Sequence, residues 1–378
     1  GYQQGVASDL GNIGNIYTTK GEPDKALKYH EEALAIDREI GFQQGVANQL
    51  GNIGLMYRDK GEPDKALKYL GEALAIHREI GYQQGVASDL GNIGLICSAK
   101  GERDKALKYL EEALAIDREI GYQQGVASDL GNIGLIYSAK GEPDKALKYH
   151  DEALAIARQA ASATTQANQF IAIGLIRASR GEYDQAILSY NEGLKLHRQT
   201  GYREGEGIAL GNIGNIYSAK GEPDKALKCY EEALAIDREI GYQQGVATDL
   251  GNIGLIYSAK GERDKALKYL EEALVIDREI GYQQGVANQL GNSGLVLVDS
   301  GKHEQAVPQL VEALGIFLAI GVSDGPGQVL TGLVVSEDKM GRKRMEELLT
   351  EAGLDDESSA NLLKMISKMR QEMGSKEK

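Results

Sequence analysis

The side chains best suited to chemistry in this sequence are seven asparagines whose positions differ by multiples of 40. Six lie in the sequence Leu-Gly-Asn-Ile-Gly and the seventh in Leu-Gly-Asn-Ser-Gly. A carboxamide carries two N–H donors and an acceptor, so it can bond the N–H and C=O groups of an extended peptide whatever side chains that peptide has. The pattern therefore predicts a clamp for main chain, formed by Asn12, Asn52, Asn92, Asn132, Asn212, Asn252 and Asn292.

The positions three residues after these asparagines are expected to select the side chains of the bound segment. Most of them hold leucine, and a row of exposed leucines forms an apolar strip of the kind that marks an interaction surface. A ligand with spaced apolar side chains is therefore predicted. The positions are Asn15, Leu55, Leu95, Leu135, Asn215, Leu255 and Leu295, and the aspartates Asp9, Asp89, Asp129 and Asp249 are expected at the flank of the same surface.

Catalytic and cofactor chemistry is not supported by the sequence. The five histidines are scattered, at His30, His77, His150, His197 and His303, and none is accompanied by a nucleophile or by a cluster of metal ligands. A phosphate-binding loop of the form Gly-x4-Gly-Lys is absent. We predict that the chain is not an enzyme and binds no cofactor and no metal.

Composition excludes further classes of partner. The formal charge of −14 is spread along the chain, and no basic stripe remains to neutralise phosphates, so nucleic acid is not an expected partner. The two cysteines, Cys97 and Cys229, stand at unrelated positions, which favours a reducing compartment and hence the cytoplasm. No apolar run of 18 residues and no secretory leader is present, so no membrane association is expected.

The elements that position these side chains are helical hairpins repeated every 40 residues. Residues 81–120 and 241–280 are identical at 37 of 40 positions. In each unit a helical stretch ends at a glycine, and a second helix follows that begins with proline in four units. We predict eight hairpins over residues 1–320, with units at 1, 41, 81, 121, 161, 201, 241 and 281, a degenerate ninth hairpin over 321–352, and a C-terminal amphipathic capping helix and tail over 353–378.

The two glycines of the Leu-Gly-Asn-Ile-Gly sequence have different predicted tasks. A turn of 100° per residue puts Gly14 on the apolar face of its helix, and puts Gly11 with Asn12 on the opposite face. Gly14 is expected to let the second helix of the hairpin approach closely. Gly11 is not explained by packing within the hairpin, and we expect it to deepen a groove beside the asparagine.

The spacing of Leu90, Ile93, Gly94, Gly101, Ala106, Leu110 and Ala113 resembles the tetratricopeptide repeat signature, with Arg118 in place of its final proline. The 40-residue variant is similar to the repeats of LGN-type G-protein signalling modulators and of kinesin light chains. That resemblance implies an all-α, right-handed α-solenoid superhelix of tetratricopeptide hairpins that grips peptides. Related repeats, including those of the O-linked N-acetylglucosamine transferase, carry an asparagine ladder at this place.

Several alternatives remain open at this point. The asparagines could instead bond to a neighbouring helix and be purely structural. The fifth unit, which has Ala172 in place of the asparagine, could divide the ligand site in two or could be an older repeat. The expected function is a protein-interaction scaffold for an extended peptide. The alternatives are a self-assembling array, with homo-oligomers formed through its ends or the C-terminal helix, and the sensor arm of a larger signalling protein.

Overall fold

The computed structural model describes residues 2–322 and 325–376, and these residues form 19 helices and no strand. The prediction of an all-α protein is confirmed. The chain divides into two compact units, Gly1–Leu196 and His197–Lys378. Each unit is a solenoid in which consecutive antiparallel helix pairs pack side by side.

The helices alternate between a first and a second helix of each hairpin. The first helices are α1 (Tyr2–Thr19), α3 (Gln43–Asp59), α5 (Gln83–Ala99), α7 (Gln123–Ala139), α9 (Ala163–Ser179), α11 (Arg203–Ala219), α13 (Gln243–Ala259) and α15 (Gln283–Asp299). The second helices are α2 (Pro23–Glu39), α4 (Pro63–Glu79), α6 (Arg103–Glu119), α8 (Pro143–Gln159), α10 (Tyr183–Thr200), α12 (Pro223–Ile240), α14 (Arg263–Glu279) and α16 (His303–Ile320). Three helices follow, α17 (Pro326–Met340), α18 (Arg342–Glu351) and α19 (Asp356–Lys376).

The turn inside each hairpin follows from a glycine and the start of the next helix. In the second hairpin Gly61 adopts a φ of +72°, the left-handed conformation that glycine reaches at little cost after a helix end. Pro63 then occupies the first turn of α4, where its missing N–H would have had no helical partner. The rings of Tyr57 and Tyr69 stack 5.3 Å apart across the two helices and fix their approach.

The two helices of a hairpin meet at the last glycine of the repeated sequence. A Cβ added to Gly54 would lie 2.8 Å from Leu70 Cγ and 3.2 Å from the carbonyl oxygen of Ala66. Ala66 and Leu70 are fully buried. At Gly14, for which the prediction was made, a Cβ would likewise lie 2.7 Å from His30 Nε2 on the second helix, so the predicted packing role is confirmed.

The first glycine of the Leu-Gly-Asn-Ile-Gly sequence contacts the next hairpin rather than its own hairpin. A Cβ on Gly131 would lie 2.7 Å from Gln169 Nε2, whereas a Cβ on Gly91 would meet only Asp129 Oδ1, at 3.6 Å. The absence of a side chain here therefore makes room for a polar side chain on the first helix of the following hairpin. Sequence reasoning, which considered packing within one hairpin, did not identify this contact.

Neighbouring hairpins are also joined on their exposed side by ion pairs that repeat along the chain. Lys100 Nζ lies 2.7 Å from Asp64 Oδ1, and Arg118 Nη2 lies 2.7 Å from Glu152 Oε1. Equivalent pairs include Lys60–Asp24, Lys140–Asp104, Arg180–Asp144, Arg78–Glu112, Lys260–Asp224, Arg238–Glu272 and Arg278–Glu312. These side chains are substantially exposed, so each pair contributes little stability.

The fifth hairpin replaces the groove-side glycine by a large residue and compensates for it within the same hairpin. Ile171 stands where other repeats have glycine, and Gly193 on α10 stands where they have alanine. A Cβ on Gly193 would lie 2.9 Å from Ile171 Cδ1 and 3.2 Å from the carbonyl oxygen of Ala167. Ala172, which occupies the place of the asparagine, is buried.

The C-terminal helices α17 to α19 pack around one apolar cluster. Leu362, Leu363 and Ile366 of α19 are buried in it, and Met369 and Met373 pack against it, together with Val329 and Leu333 of α17. The amphipathic stripe predicted in this segment therefore faces the preceding helices of its own chain. The division of this region into a ninth hairpin and a cap stays a prediction.

Candidate functional site

The carboxamides of the seven asparagines in the predicted ladder make no hydrogen bonds to the described part of the protein. Asn12 is exposed, and Asn52, Asn92, Asn132, Asn212, Asn252 and Asn292 are half-buried. Within residues 2–322 and 325–376, none of these carboxamides makes a hydrogen bond to a side chain or to the backbone. The structure thus contains no bond from these asparagines to a neighbouring helix, which was the structural alternative.

In the first unit, three consecutive asparagines line two adjacent pockets between first helices. The α3–α5 pocket, of about 350 Å³, has Asn52, Asn92 and Leu55 in its lining. The α5–α7 pocket, of about 300 Å³, is lined by Asn92, Asn132 and Leu95. Asn92 belongs to both linings, so the two pockets lie side by side along the first helices. The structure therefore brings together these asparagines and the leucines that follow two of them.

The positions three residues after the asparagines differ among the repeats. Leu55 and Leu95 are half-buried, Leu135 is 51% exposed and Leu255 is 41% exposed, and Asn15 is exposed. Two positions depart from the expectation of open, ligand-facing side chains. Asn215 accepts a hydrogen bond of 2.7 Å from the hydroxyl of Tyr230 in its own hairpin. Leu295 packs against α17: a Cβ added to Gly332 of that helix would lie 2.9 Å from Leu295 Cδ2.

Buried polar pairs form the floor of both pockets, where one hairpin meets the next. In the α3–α5 pocket, His77 Nδ1 lies 2.7 Å from Asp89 Oδ2, and His77 Nε2 lies 3.3 Å from Asn48 Oδ1. His77 and Asp89 are 3% and 4% exposed. Burial raises the pKa of Asp89, and the hydrogen bond and charge of His77 oppose that rise.

The floor of the α5–α7 pocket holds two carboxyl groups instead. Asp117 is 5% exposed and Asp129 is 6% exposed. Within the described residues, Asp117 Oδ1 and Asp129 Oδ2 have no hydrogen-bond partner. Burial raises the pKa of Asp117 to about 6, and burial together with repulsion by Asp117 raises that of Asp129 to about 8. In the second unit the same pair recurs as Asp237 and Asp249, with pKa values raised to about 6 and about 8.

The expectation that the aspartates flank the surface was wrong for three of them. Asp89, Asp129 and Asp249 are buried, because each lies on the stripe of its helix that packs against the preceding hairpin. Asp9 alone is exposed. The signal was present in the sequence: Val86, Asp89, Leu90 and Ile93 are spaced i, i+3, i+4, i+7, as are Leu110, Ala113, Leu114 and Asp117. An acidic residue on such a stripe is predicted to be buried.

The groove offers hydrogen bonds, apolar contacts and negative charge. In the described part of the chain no group of three or more histidine, cysteine, aspartate or glutamate side chains is arranged to hold a metal ion. Over the same residues, no helix combines the length and the apolar character needed to cross a bilayer. What the site can do chemically is hold main-chain amides at Asn52, Asn92 and Asn132 and present apolar side chains beside them.

Sequence comparison identifies the repeat. The model of the tetratricopeptide repeat matches residues 45–119, 86–159, 125–199, 163–239 and 245–319, and a second tetratricopeptide repeat model matches residues 10–43. No curated protein matches the sequence.

Solved structures share the fold at low sequence identity. The STAND protein with a tetratricopeptide repeat sensor from Pyrococcus horikoshii superposes with a TM-score of 0.65 at 17% identity, over 93% of this chain and 52% of that one. The apo form of RapI gives a TM-score of 0.56 at 16% identity, over 73% of this chain and 99% of that one. A tetratricopeptide repeat protein from Parabacteroides merdae gives 0.50 at 18% identity, over 75% and 98%. At these identities the similarity concerns the fold alone.

Proposed function

Because the chain belongs to the tetratricopeptide repeat family, we propose that it is a protein-interaction scaffold that holds an extended segment of a partner protein in the groove of its first helices. The asparagines bond the main chain of the segment, and the leucines beside them contact its apolar side chains. No catalytic activity and no cofactor are part of this function. Its cytoplasmic location stays a prediction.

The observation that supports the proposal most strongly is the row of unpartnered carboxamides in the first unit. Asn52, Asn92 and Asn132 are half-buried, line adjacent pockets and make no hydrogen bond to a described residue. None of their carboxamide atoms is among the buried atoms that lack a partner, so these groups are accessible and can exchange bonds to water for the donors and acceptors of an extended ligand. Packed helices lie about 10 Å apart and an extended chain rises about 3.3 Å per residue, which gives about one clamp for every three residues.

The test begins with selection of peptides from a random display library on the wild-type protein. Their affinities are then measured for the triple variant Asn52→Ala, Asn92→Ala, Asn132→Ala. We expect the variant to bind about a hundredfold more weakly, because several hydrogen bonds of about 1 kcal/mol each are lost. Helicity by far-ultraviolet circular dichroism should not fall, since these side chains make no hydrogen bond to the described protein and alanine favours the helix.

The matched control is the triple variant Ala75→Gln, Ala115→Gln, Ala155→Gln. It alters exposed residues in the second helices of the same three hairpins, at the same spacing, and leaves the charge unchanged. It should bind the selected peptides as the wild type does. If the asparagine variant binds as tightly as this control, or if no peptide can be selected, the groove is not the peptide site.

The alternative function, self-association, is tested by multi-angle light scattering over a wide concentration range. A strictly monomeric protein excludes self-association, and a mass that rises with concentration supports it. A sensor would bind its peptide in the same groove as a scaffold, and the two roles differ only in the response that peptide binding triggers.

A further inference from the structure

The α3–α5 and α5–α7 pockets have similar walls but different floors. Each is lined by two ladder asparagines and a leucine. On the floor of the α3–α5 pocket the chain itself supplies a hydrogen-bond donor to the buried carboxyl group, namely the imidazole of His77, 2.7 Å from Asp89. On the floor of the α5–α7 pocket the equivalent residue is Asp117, so the chain supplies a second acceptor in place of the donor.

The consequence is that two buried carboxyl oxygens on the floor of the α5–α7 pocket lack a donor in the described part of the chain. Asp117 Oδ1 and Asp129 Oδ2 are buried and have no partner within the described residues. Buried carboxyl oxygens normally receive hydrogen bonds, and a buried pair of like charge is unfavourable unless a proton or a cation lies between the groups. The carboxamides of Asn92 and Asn132 in the walls carry both donors and acceptors, but their N–H groups make no hydrogen bond to these two carboxyl oxygens.

We propose that the α5–α7 pocket binds a basic side chain, lysine or arginine, of the extended segment held in the groove. This inference rests on the proposed function, because the ladder asparagines on either side of the pocket align the segment. An ammonium or guanidinium group carries several donors and a positive charge, which is what the floor formed by Asp117 and Asp129 lacks. The α3–α5 pocket, whose floor His77 already satisfies, takes no such side chain.

Binding of the cation is coupled to release of a proton. Without ligand, the raised pKa values of Asp117 and Asp129 mean that the pair holds about one proton at neutral pH. A cation on the floor favours the ionised form of both groups and displaces that proton, so affinity for a basic peptide rises as the pH increases towards about 8. Of the other titratable groups on the elements around the pair, Tyr122 also lines the pocket, and Cys97 is buried in the apolar cluster. The remaining groups have partners elsewhere: Asp89 pairs with His77, Arg118 pairs with Glu152, and His150 bonds Gln169.

The experiment uses the peptides selected on the wild-type protein in the test of the proposed function. Their lysines and arginines are replaced one at a time by norleucine, which keeps the aliphatic length of lysine without its charge. We expect one basic residue in each tightly bound peptide to be required, with a loss of about tenfold or more on replacement. That requirement should fall below about twofold in the variant Asp117→Asn, Asp129→Asn, and the rise of affinity with pH should disappear with it.

A variant of the neighbouring pocket provides a gain-of-function control. His77→Asp gives the α3–α5 pocket the same two-carboxyl floor, and selection on this variant should yield peptides with a second required basic residue one repeat away. The requirement for one basic residue is itself measured on the wild-type protein, so that part of the test does not depend on how well any variant folds.

The outcomes separate the two proposals. If no peptide binds, or if the triple asparagine variant binds the peptides as tightly as the wild type, the proposed function itself fails. Peptides that need Asn92 and Asn132 but contain no required basic residue would leave the scaffold function intact and overturn the basic pocket. A basic residue whose contribution is equal in the wild type and in Asp117→Asn, Asp129→Asn overturns it as well, because the charge then acts elsewhere on this acidic protein.

Discussion

Gly94 and Leu110 pack so closely in the third hairpin that a Cβ added to Gly94 would lie 2.9 Å from Leu110 Cγ. The same Cβ would lie 3.3 Å from the carbonyl oxygen of Ala106, so the second helix cannot yield by moving one side chain. Three residues earlier in the same helix, a Cβ on Gly91 would make only an ordinary contact of 3.6 Å with Asp129 Oδ1.

We therefore expect opposite effects from the same substitution at these two glycines. Gly94→Ala should lower the free energy of unfolding by about 1–3 kcal/mol, the usual cost of overpacking. Gly91→Ala should leave it unchanged or raise it by up to about 1 kcal/mol, because alanine favours the helix. Urea unfolding followed by circular dichroism measures both. Equal losses at the two positions would show that backbone contacts do not govern this site.

The buried carboxyl pairs should make the protein less stable at alkaline pH. The pKa values of Asp129 and Asp249 are raised to about 8 in the folded chain, so it binds more protons than the unfolded chain between about pH 4 and 8. The stabilisation is complete below pH 4 and is lost as the pH rises towards 8. Asp129→Asn should raise the free energy of unfolding at pH 8.5 by on the order of 2 kcal/mol and have little effect at pH 4.

The control for that measurement is Asp9→Asn, which alters the equivalent but exposed residue of the first hairpin. Its effect on the free energy of unfolding should be small at both pH values. A pH profile of Asp129→Asn that runs parallel to that of the wild type would mean that Asp129 titrates as an exposed carboxyl group.

A histidine produces the opposite trend on the acid side. His150 Nδ1 lies 2.7 Å from Gln169 Oε1, both side chains are buried, and burial lowers the pKa of His150. The unfolded chain therefore takes up a proton first as the pH falls below about 6.5, and the stability due to this group is lost there. We expect His150→Leu to flatten the stability profile between pH 7 and 5.

The hydrogen bond itself is measured by a double-mutant cycle of His150→Leu and Gln169→Leu at pH 7.5. Each single change leaves the other polar group buried without its partner, so a coupling of about 1–2 kcal/mol is expected. Additive effects would indicate that the bond contributes no net stability.

The C-terminal helix should protect the helix beneath it from hydrogen exchange. Ile366 is fully buried in the cluster that α19 shares with α17, and Ile366→Asp would place a charge there. We expect amides of α17 to lose protection by about 3 kcal/mol, while amides of α3 and α5 keep theirs, because repeats are stabilised mainly by their neighbours. Lys364→Asp, at an exposed position of α19, is the control. Unchanged exchange in α17 would contradict a capping role.

Repetition made much of the fold predictable. The 40-residue period, the glycines before each second helix and the prolines that start four of those helices were enough to predict the hairpins, and the task of Gly54 and its equivalents followed from helical geometry. The contact of Gly131 with Gln169 did not follow, because it joins residues of different hairpins and depends on how the hairpins are placed.

The candidate site was predictable in its walls and not in its floor. Asn92 and Asn132 stand out in sequence because they repeat where a helix gains nothing from asparagine. Asp117 was not singled out from the sequence, because it is one of many charged residues in the second helices. Its spacing from Leu110 was the better guide, but the partner across the pocket, Asp129, belongs to another repeat, and no spacing within one repeat reveals that pairing.

His77 pairs with Asp89, and Asp117 lies beside Asp129, so the order of the repeats determines the chemistry of each pocket even though the repeats are nearly identical. Each pocket floor takes one residue from the end of a repeat and one from the start of the next, so its chemistry is a property of the junction. Duplication, deletion or exchange of whole repeats by unequal recombination would then create and erase basic-residue pockets without a single point mutation. A gene built from interchangeable modules could in this way alter the ligands it selects simply by shuffling them.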